Sequence, residues 1–138
     1  MNRPDPKDVR NITGIGGGVI GAGWAAGFLA KGYDVVVQDI NPDAEGQMRR
    51  IIDSAWPSLE AMGLSDGASR DRVRFTTDLA DAVGGADFVQ ESGPERMDIK
   101  QDMYAAMDAA MPNDVVIASS TSGLLMSDIQ SKSGNPSR

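Results

Sequence analysis

The 138-residue sequence contains no cysteine and no histidine. Without cysteine there are no disulfides, thiol nucleophiles or Cys-ligated zinc sites. Without histidine the commonest general base is missing, so a reaction that needs an imidazole is not completed by these residues. Aromatic residues are sparse, at 5 %. No apolar run approaches the roughly 18 residues that mark a membrane-spanning helix. Positive charge is in deficit, with 13 Lys and Arg against 20 Asp and Glu and a net charge of −7. Such a surface repels nucleic acid and anionic lipid, so neither is an expected partner. The start, Met1 to Asp8, is polar and proline-rich with no signal-peptide core. It reads as a flexible arm on a cytoplasmic protein.

What is present is an ordinary single-domain composition, 41 % apolar and 24 % charged,. Periodicity alternates between strand-like and helix-like, which predicts an α/β fold of Rossmann type, a doubly wound, mostly parallel sheet spanning residues 9–130,. Strands are expected at Val9–Ile15, Tyr33–Asp39, Val73–Thr76, Ala86–Glu91 and Val115–Ala118. A first helix from Ile20 to Lys31 would bury Ile20, Trp24 and Phe28 as one stripe,. A second, capped by Asn41 or Asp43, should kink or end at Pro57, with a short helical piece to about Met62,. A short helix, Leu79–Val83, is expected behind Asp78, and a longer one over Met97–Met111 with Ile99, Met103 and Met107 on one face. Another begins near Met126, and residues 131–138 have loop composition.

Gly16-Gly17-Gly18-Val19-Ile20-Gly21 matches G-x-G-x-x-G between a predicted strand and a predicted helix. Gly16 suits the tight turn, Gly18 lets backbone approach a pyrophosphate, and Gly21 lets the helix pack close to the strand. The free N–H groups and positive dipole end of that helix would face the anion. Asp39 follows Gly21 by eighteen residues, at the end of the second strand, near the spacing of a ribose-binding acid. A helix-capping role is the rival reading of Asp39. Together the fingerprint and the acid point to NAD. A carboxylate would repel the 2′-phosphate of NADP, and Ile40-Asn41-Pro42 offers no arginine to receive it. No G-K-[ST] ends the glycine run, which argues against a P-loop, and neither tyrosine opens a Tyr-x-x-x-Lys pair.

Two polar clusters sit where ligands bind in such sheets, beyond the carboxyl ends of strands. They are Glu91-Ser-Gly-Pro-Glu-Arg96 and Ser119-Ser-Thr-Ser-Gly123. They offer Ser92, Gly93 and Ser120 as cofactor contacts, although turn and capping chemistry explains such residues equally well. Glu95 and Lys100 would share one helix end, and a surface ion pair alone would also account for them.

Three stretches give the chain a resemblance to the amino-terminal domain of the 3-hydroxyacyl-CoA dehydrogenase family, and within it to the carnitine 3-dehydrogenase branch. They are Gly16 to Trp24, Asp87 to Arg96 and Ala118 to Leu125. The resemblance implies a Rossmann domain that binds NAD in an enzyme moving a hydride between the cofactor and a 3-hydroxy acid or its derivative. Gly16 to Gly21 would hold the pyrophosphate and Asp39 the adenosine ribose. Glu95 and Lys100 match positions beside the nicotinamide half, and Ser122 matches the serine that hydrogen-bonds the substrate oxygen. Ser120 stands where the acyl-CoA enzymes have asparagine. Those enzymes carry lysines for CoA on the helix after the ribose acid, whereas Trp56 to Met62 has none, so a smaller hydroxy acid is the expected substrate. The family also has a last strand, a catalytic histidine and a helical domain that makes the homodimer. The sequence is expected to stop short of these, leaving strand five as an open edge and the chain without turnover of its own. A non-catalytic NAD-binding or redox-sensing module is the alternative.

Overall fold

The computed structural model describes residues 3–138. Five strands, β1 (Asn11–Ile15), β2 (Asp34–Gln38), β3 (Val73–Thr76), β4 (Phe88–Glu91) and β5 (Val116–Ser119), form one parallel sheet in the order β3-β2-β1-β4-β5. The helices between them are α1 (Val19–Ala30), α2 (Ala44–Met62), α3 (Leu79–Val83), α4 (Met97–Ala110) and α5 (Met126–Ile129). The predicted Rossmann-type sheet is therefore present, with every neighbouring pair parallel.

Two apolar layers sandwich the sheet. On one face, α1 and α2 bury Ala22, Ala26, Leu29, Met48, Ile52 and Trp56 against Val35, Val37 and Val73. On the other, α3, α4 and α5 bury Val83, Tyr104, Met107 and Ile129 against Ile15, Val89 and Ile117. A sheet covered on both faces needs strands without polar alternation, which is why β2 reads Asp-Val-Val-Val-Gln,.

The stripe expected on α1 holds only at Phe28, which packs on the core. Ile20 and Trp24 are 62 % and 46 % exposed, and the buried residues are Gly21, Ala22, Ala25, Ala26, Leu29 and Ala30. This helix is apolar nearly all round, so periodicity could not choose its face. Close packing chose the small side chains, and Trp24 stacks on Phe28 instead, with ring centroids 5.6 Å apart,.

Pro57 neither ends nor divides α2, which runs unbroken through it. The proline is exposed, while Trp56 before it is buried and Leu59 after it packs on the core. Those contacts hold both halves in line against the one lost hydrogen bond.

Residues 3–8, expected as a flexible arm, include a 3-10 turn at Pro6–Asp8 capped by Asp5, and Arg3 donates to the Ser137 carbonyl at 3.0 Å. Met1 and Asn2 lie outside the described residues. The last segment is tied down too. The Asp108 carboxylate accepts from the Asn135 N–H at 2.9 Å and lies 2.9 Å from the Arg138 guanidinium. β5 is an edge of the sheet among the described residues, and none of their helices is long and apolar enough to cross a membrane.

Gly14 is buried in β1, yet a Cβ there would meet only Val37 Cγ2 at 3.8 Å and the Val36 carbonyl at 4.0 Å. Both are ordinary contacts. Gly14→Ala is expected to raise stability by about 0.5–1 kcal/mol through lost unfolded-state freedom, read as a higher urea midpoint.

Candidate active site at the sheet switch point

From β1 the chain crosses to β2 on one side, and from β4 it crosses to β5 on the other. The loops at their carboxyl ends therefore diverge, and a crevice opens between them. Its volume is about 470 Å3, with Gly16, Gly18 and Asp39 on one bank and Ser92, Gly93 and Pro94 on the other. A larger groove of about 620 Å3 lies between α2 and the start of β3. That is the amino end of the strands, and its Arg70 and Asp53 satisfy each other at 2.8 Å.

The glycine turn shows why it is built of glycine. Gly16 has φ +99°, donates its N–H to the Gln38 carbonyl at 2.7 Å, and would place a Cβ 2.6 Å from the Ser92 carbonyl oxygen,. A Cβ on Gly21 would lie 1.9 Å from the Gly16 carbonyl oxygen, so no other residue lets α1 start this close to β1. Gly18 differs, since a Cβ there would meet nothing within 4 Å. It is the N-cap residue of α1, and no side chain caps that helix. An uncapped helix start with open space before it suits a diphosphate.

Asp39 does not cap α2. Its Oδ2 accepts the Gly17 N–H at 2.8 Å and its Oδ1 accepts the Asn41 N–H at 2.9 Å. A carboxylate oxygen has two lone pairs, so each keeps one for a ligand hydroxyl. The carboxylate is half-buried and lines the crevice. Asp39 thus braces the glycine turn, a role the sequence did not suggest, and lines the crevice.

On the opposite bank, Lys100 is not a surface partner of Glu95. It is 1 % exposed, and its Nζ lies 2.6 Å from Oε1 of Glu91, which is wholly buried. Glu95 Oε2 is farther away, at 3.8 Å. The first turn of α4 turns inward here, so Lys100 enters the core where Glu91 ends β4. The Glu91 carboxylate also accepts from the Gly93 N–H at 2.7 Å and the Ser119 hydroxyl at 2.5 Å. Burial, with the Glu91 carboxylate in addition, pushes the nearby Tyr104 phenol up. Sequence reasoning missed Glu91. The available signal was an acid ending an otherwise buried strand.

Glu95 spans to the loop after β5, where its carboxylate accepts from the Thr121 hydroxyl and, at 3.5 Å, from the Gly123 N–H. Chiefly the Thr121 hydroxyl, helped by the Gly123 amide and Lys100, holds its carboxyl below the usual range. Ser122 is exposed beside Thr121. Ser120 is set behind the crevice wall. Its hydroxyl takes hydrogen bonds from Gln90 Nε2 at 3.0 Å and Trp24 Nε1 at 3.2 Å, and lies 2.9 Å from the Ser92 hydroxyl. With both Ser120 lone pairs used, its proton goes to Ser92 Oγ, leaving the Ser92 proton free for the crevice. Val19 and Ile20 are exposed in the first turn of α1.

Residues 11–138 match the model of the NAD binding domain of 3-hydroxyacyl-CoA dehydrogenase. The chain belongs to that family. It is an NAD-binding domain, and the open glycine turn with its facing acid fits the cofactor. L-carnitine dehydrogenase of Streptomyces griseus is 54 % identical over 133 residues, covering 96 % of this chain and 40 % of the relative. That of Pseudomonas putida is 47 % identical over 135 residues, covering 98 % and 42 %. Among solved structures, FHMPC 5-dehydrogenase, an NAD+-dependent dismutase, superposes with a TM-score of 0.83 at 38 % identity, covering 93 % of this chain and 42 % of that one. 3-Hydroxybutyryl-CoA dehydrogenase from Escherichia coli gives 0.82 at 27 % identity, covering 94 % and 28 %. The NAD-binding domain described here thus spans about 40 % of the length of these curated relatives.

One expectation about substrate loses its basis. α2 leaves the crevice after β2 and arrives at the start of β3, so Trp56 and Glu60 line the groove at the far end of the sheet together with Val73. The lack of lysine from Trp56 to Met62 therefore says nothing about a ligand in the crevice of this NAD-binding domain.

Proposed function

We propose that this domain is the cofactor half of an enzyme that moves a hydride between NAD and a 3-hydroxy acid or its derivative, of carnitine rather than acyl-CoA type. The observation that carries the reading is the crevice itself, an uncapped helix start at Gly18 facing open space with the Asp39 carboxylate beside it. In this reading Gly16 to Gly21, with Val19 and Ile20 contributing first-turn N–H groups, bind the diphosphate, and Asp39 binds the adenosine ribose. Ser92 and Gly93 form the far bank. Ser120 and Lys100 are positioning residues, the first orienting the Ser92 hydroxyl and the second fixing Glu91 beneath Gly93. Glu95 lies beside the nicotinamide half, and Ser122 offers its exposed hydroxyl to the substrate oxygen. The carnitine-type substrate is supported by the names of the relatives that are about half identical to this chain. When bound, NAD supplies the hydride acceptor.

A proton must also leave the alcohol, and these 138 residues contain no histidine to take it. The reading therefore includes a base and a substrate-covering domain supplied from elsewhere, with homodimerisation through that domain and a cytoplasmic role in carnitine or fatty-acid metabolism. The chain alone is expected to bind NAD yet give no reduction of NAD by L-carnitine above a no-substrate control. A missing general base typically costs about 10²–10⁴-fold, before the loss of water exclusion is counted. Absorbance of NADH checks this, and turnover by the purified chain would refute it.

A further inference from the structure

A dinucleotide with its ribose at Asp39 and its diphosphate at the start of α1 has one direction left to run. It passes over Ser92 and Gly93 toward the loops after β4 and β5, which is where its nicotinamide end comes to rest. This step rests on the reading of the crevice given above.

Three formal charges stand on that ground. Glu91 and Lys100 are buried 2.6 Å apart and cancel. Glu95 is left over. Its side chain is 49 % exposed, and Thr121 and Gly123 fix its carboxylate in place. The next charged side chain, Arg96, points to solvent and pairs with Asp98 at 2.7 Å. The ground between the loops after β4 and β5 therefore carries a net charge of −1, and Glu95 is its exposed carboxylate. The two redox forms of the cofactor differ there by one charge, since the nicotinamide ring is a cation in NAD+ and neutral in NADH.

We infer that Glu95 sets the balance between oxidised and reduced cofactor, attracting the ring cation of NAD+ and giving NADH no such gain. A half-exposed carboxylate acting on a nearby cation is worth about three- to tenfold in affinity at low salt. The interaction fades as the Debye length falls to about 3 Å near 1 M salt. Lys100 is shared by the two carboxylates, 2.6 Å from Glu91 and 3.8 Å from Glu95, so the three groups together keep a net charge of −1.

The test is calorimetric titration of the whole chain and of Glu95→Gln with NAD+, NADH and ADP-ribose. Glutamine keeps an acceptor for the Thr121 hydroxyl, and a thermal melt confirms that the variant folds. Glu95→Gln is expected to weaken NAD+ about three- to tenfold while NADH and ADP-ribose stay within about twofold, with the difference closing near 1 M salt. Equal loss for NAD+ and NADH, or no change in either, overturns the assignment while leaving the crevice reading intact. Failure of the unaltered chain to bind ADP-ribose or either cofactor overturns the crevice reading, and this inference with it.

Discussion

Lys100→Met is expected to destabilise the domain by about 3–5 kcal/mol, because it strands the wholly buried Glu91 carboxylate,. A domain of this size has roughly 5–15 kcal/mol in all, so the variant should melt on the order of 10–15 °C lower. The cause is desolvation rather than a lost attraction. Glu91 would keep the Gly93 N–H and the Ser119 hydroxyl but lose its partner cation. Adding Glu91→Gln to Lys100→Met removes the stranded charge and should recover part of the loss, on the order of 1–3 kcal/mol. Urea unfolding of the two single variants and the double variant measures this. A Lys100→Met variant within about 0.5 kcal/mol of wild type would show that the pair is dispensable.

Asp39→Ala should weaken NAD binding about 10- to 100-fold. Hydrogen bonds to a charged group are worth about 1.5–3 kcal/mol, and each 1.4 kcal/mol is a factor of ten. The same change should narrow the gap between NAD and NADP, since the carboxylate that opposes a 2′-phosphate is gone. Asp39 also holds the Gly17 and Asn41 N–H groups, so alanine loosens the turn as well. Asp39→Asn separates the two effects. It keeps an oxygen for backbone but removes the charge, so it should retain more NAD affinity than alanine and still admit NADP more readily than wild type.

The parts of this molecule legible in the sequence were those where backbone geometry dictates residue type. Gly16 and Gly21 cannot be replaced without a Cβ reaching within 2.6 Å and 1.9 Å of a carbonyl oxygen, so the turn announces itself. The strands were legible because sheets covered on both faces demand unbroken apolar runs. What failed depended on tertiary choice. The apolar circumference of α1 offered several faces, and packing against α2 selected its alanines over Ile20 and Trp24. Pro57 obeyed the packing of Trp56 and Leu59 rather than its own helix-breaking tendency. Lys100 read as a surface residue because lysine nearly always is one, and only the fold shows that the buried end of β4 holds an acid to receive it. Likewise, Ser120 is joined to Trp24 across 96 positions of chain, a distance over which local pattern carries no information.

In the proposed binding mode the crevice between Gly18 and Ser92 holds NAD with its ribose on Asp39. Heat-of-binding titrations of the unaltered chain and Asp39→Ala with NAD and NADP test it most directly. The unaltered chain is expected to prefer NAD, and the alanine variant to lose most of that preference. Equal affinity of the unaltered chain for both dinucleotides, or an alanine variant that binds NAD undiminished, would contradict it.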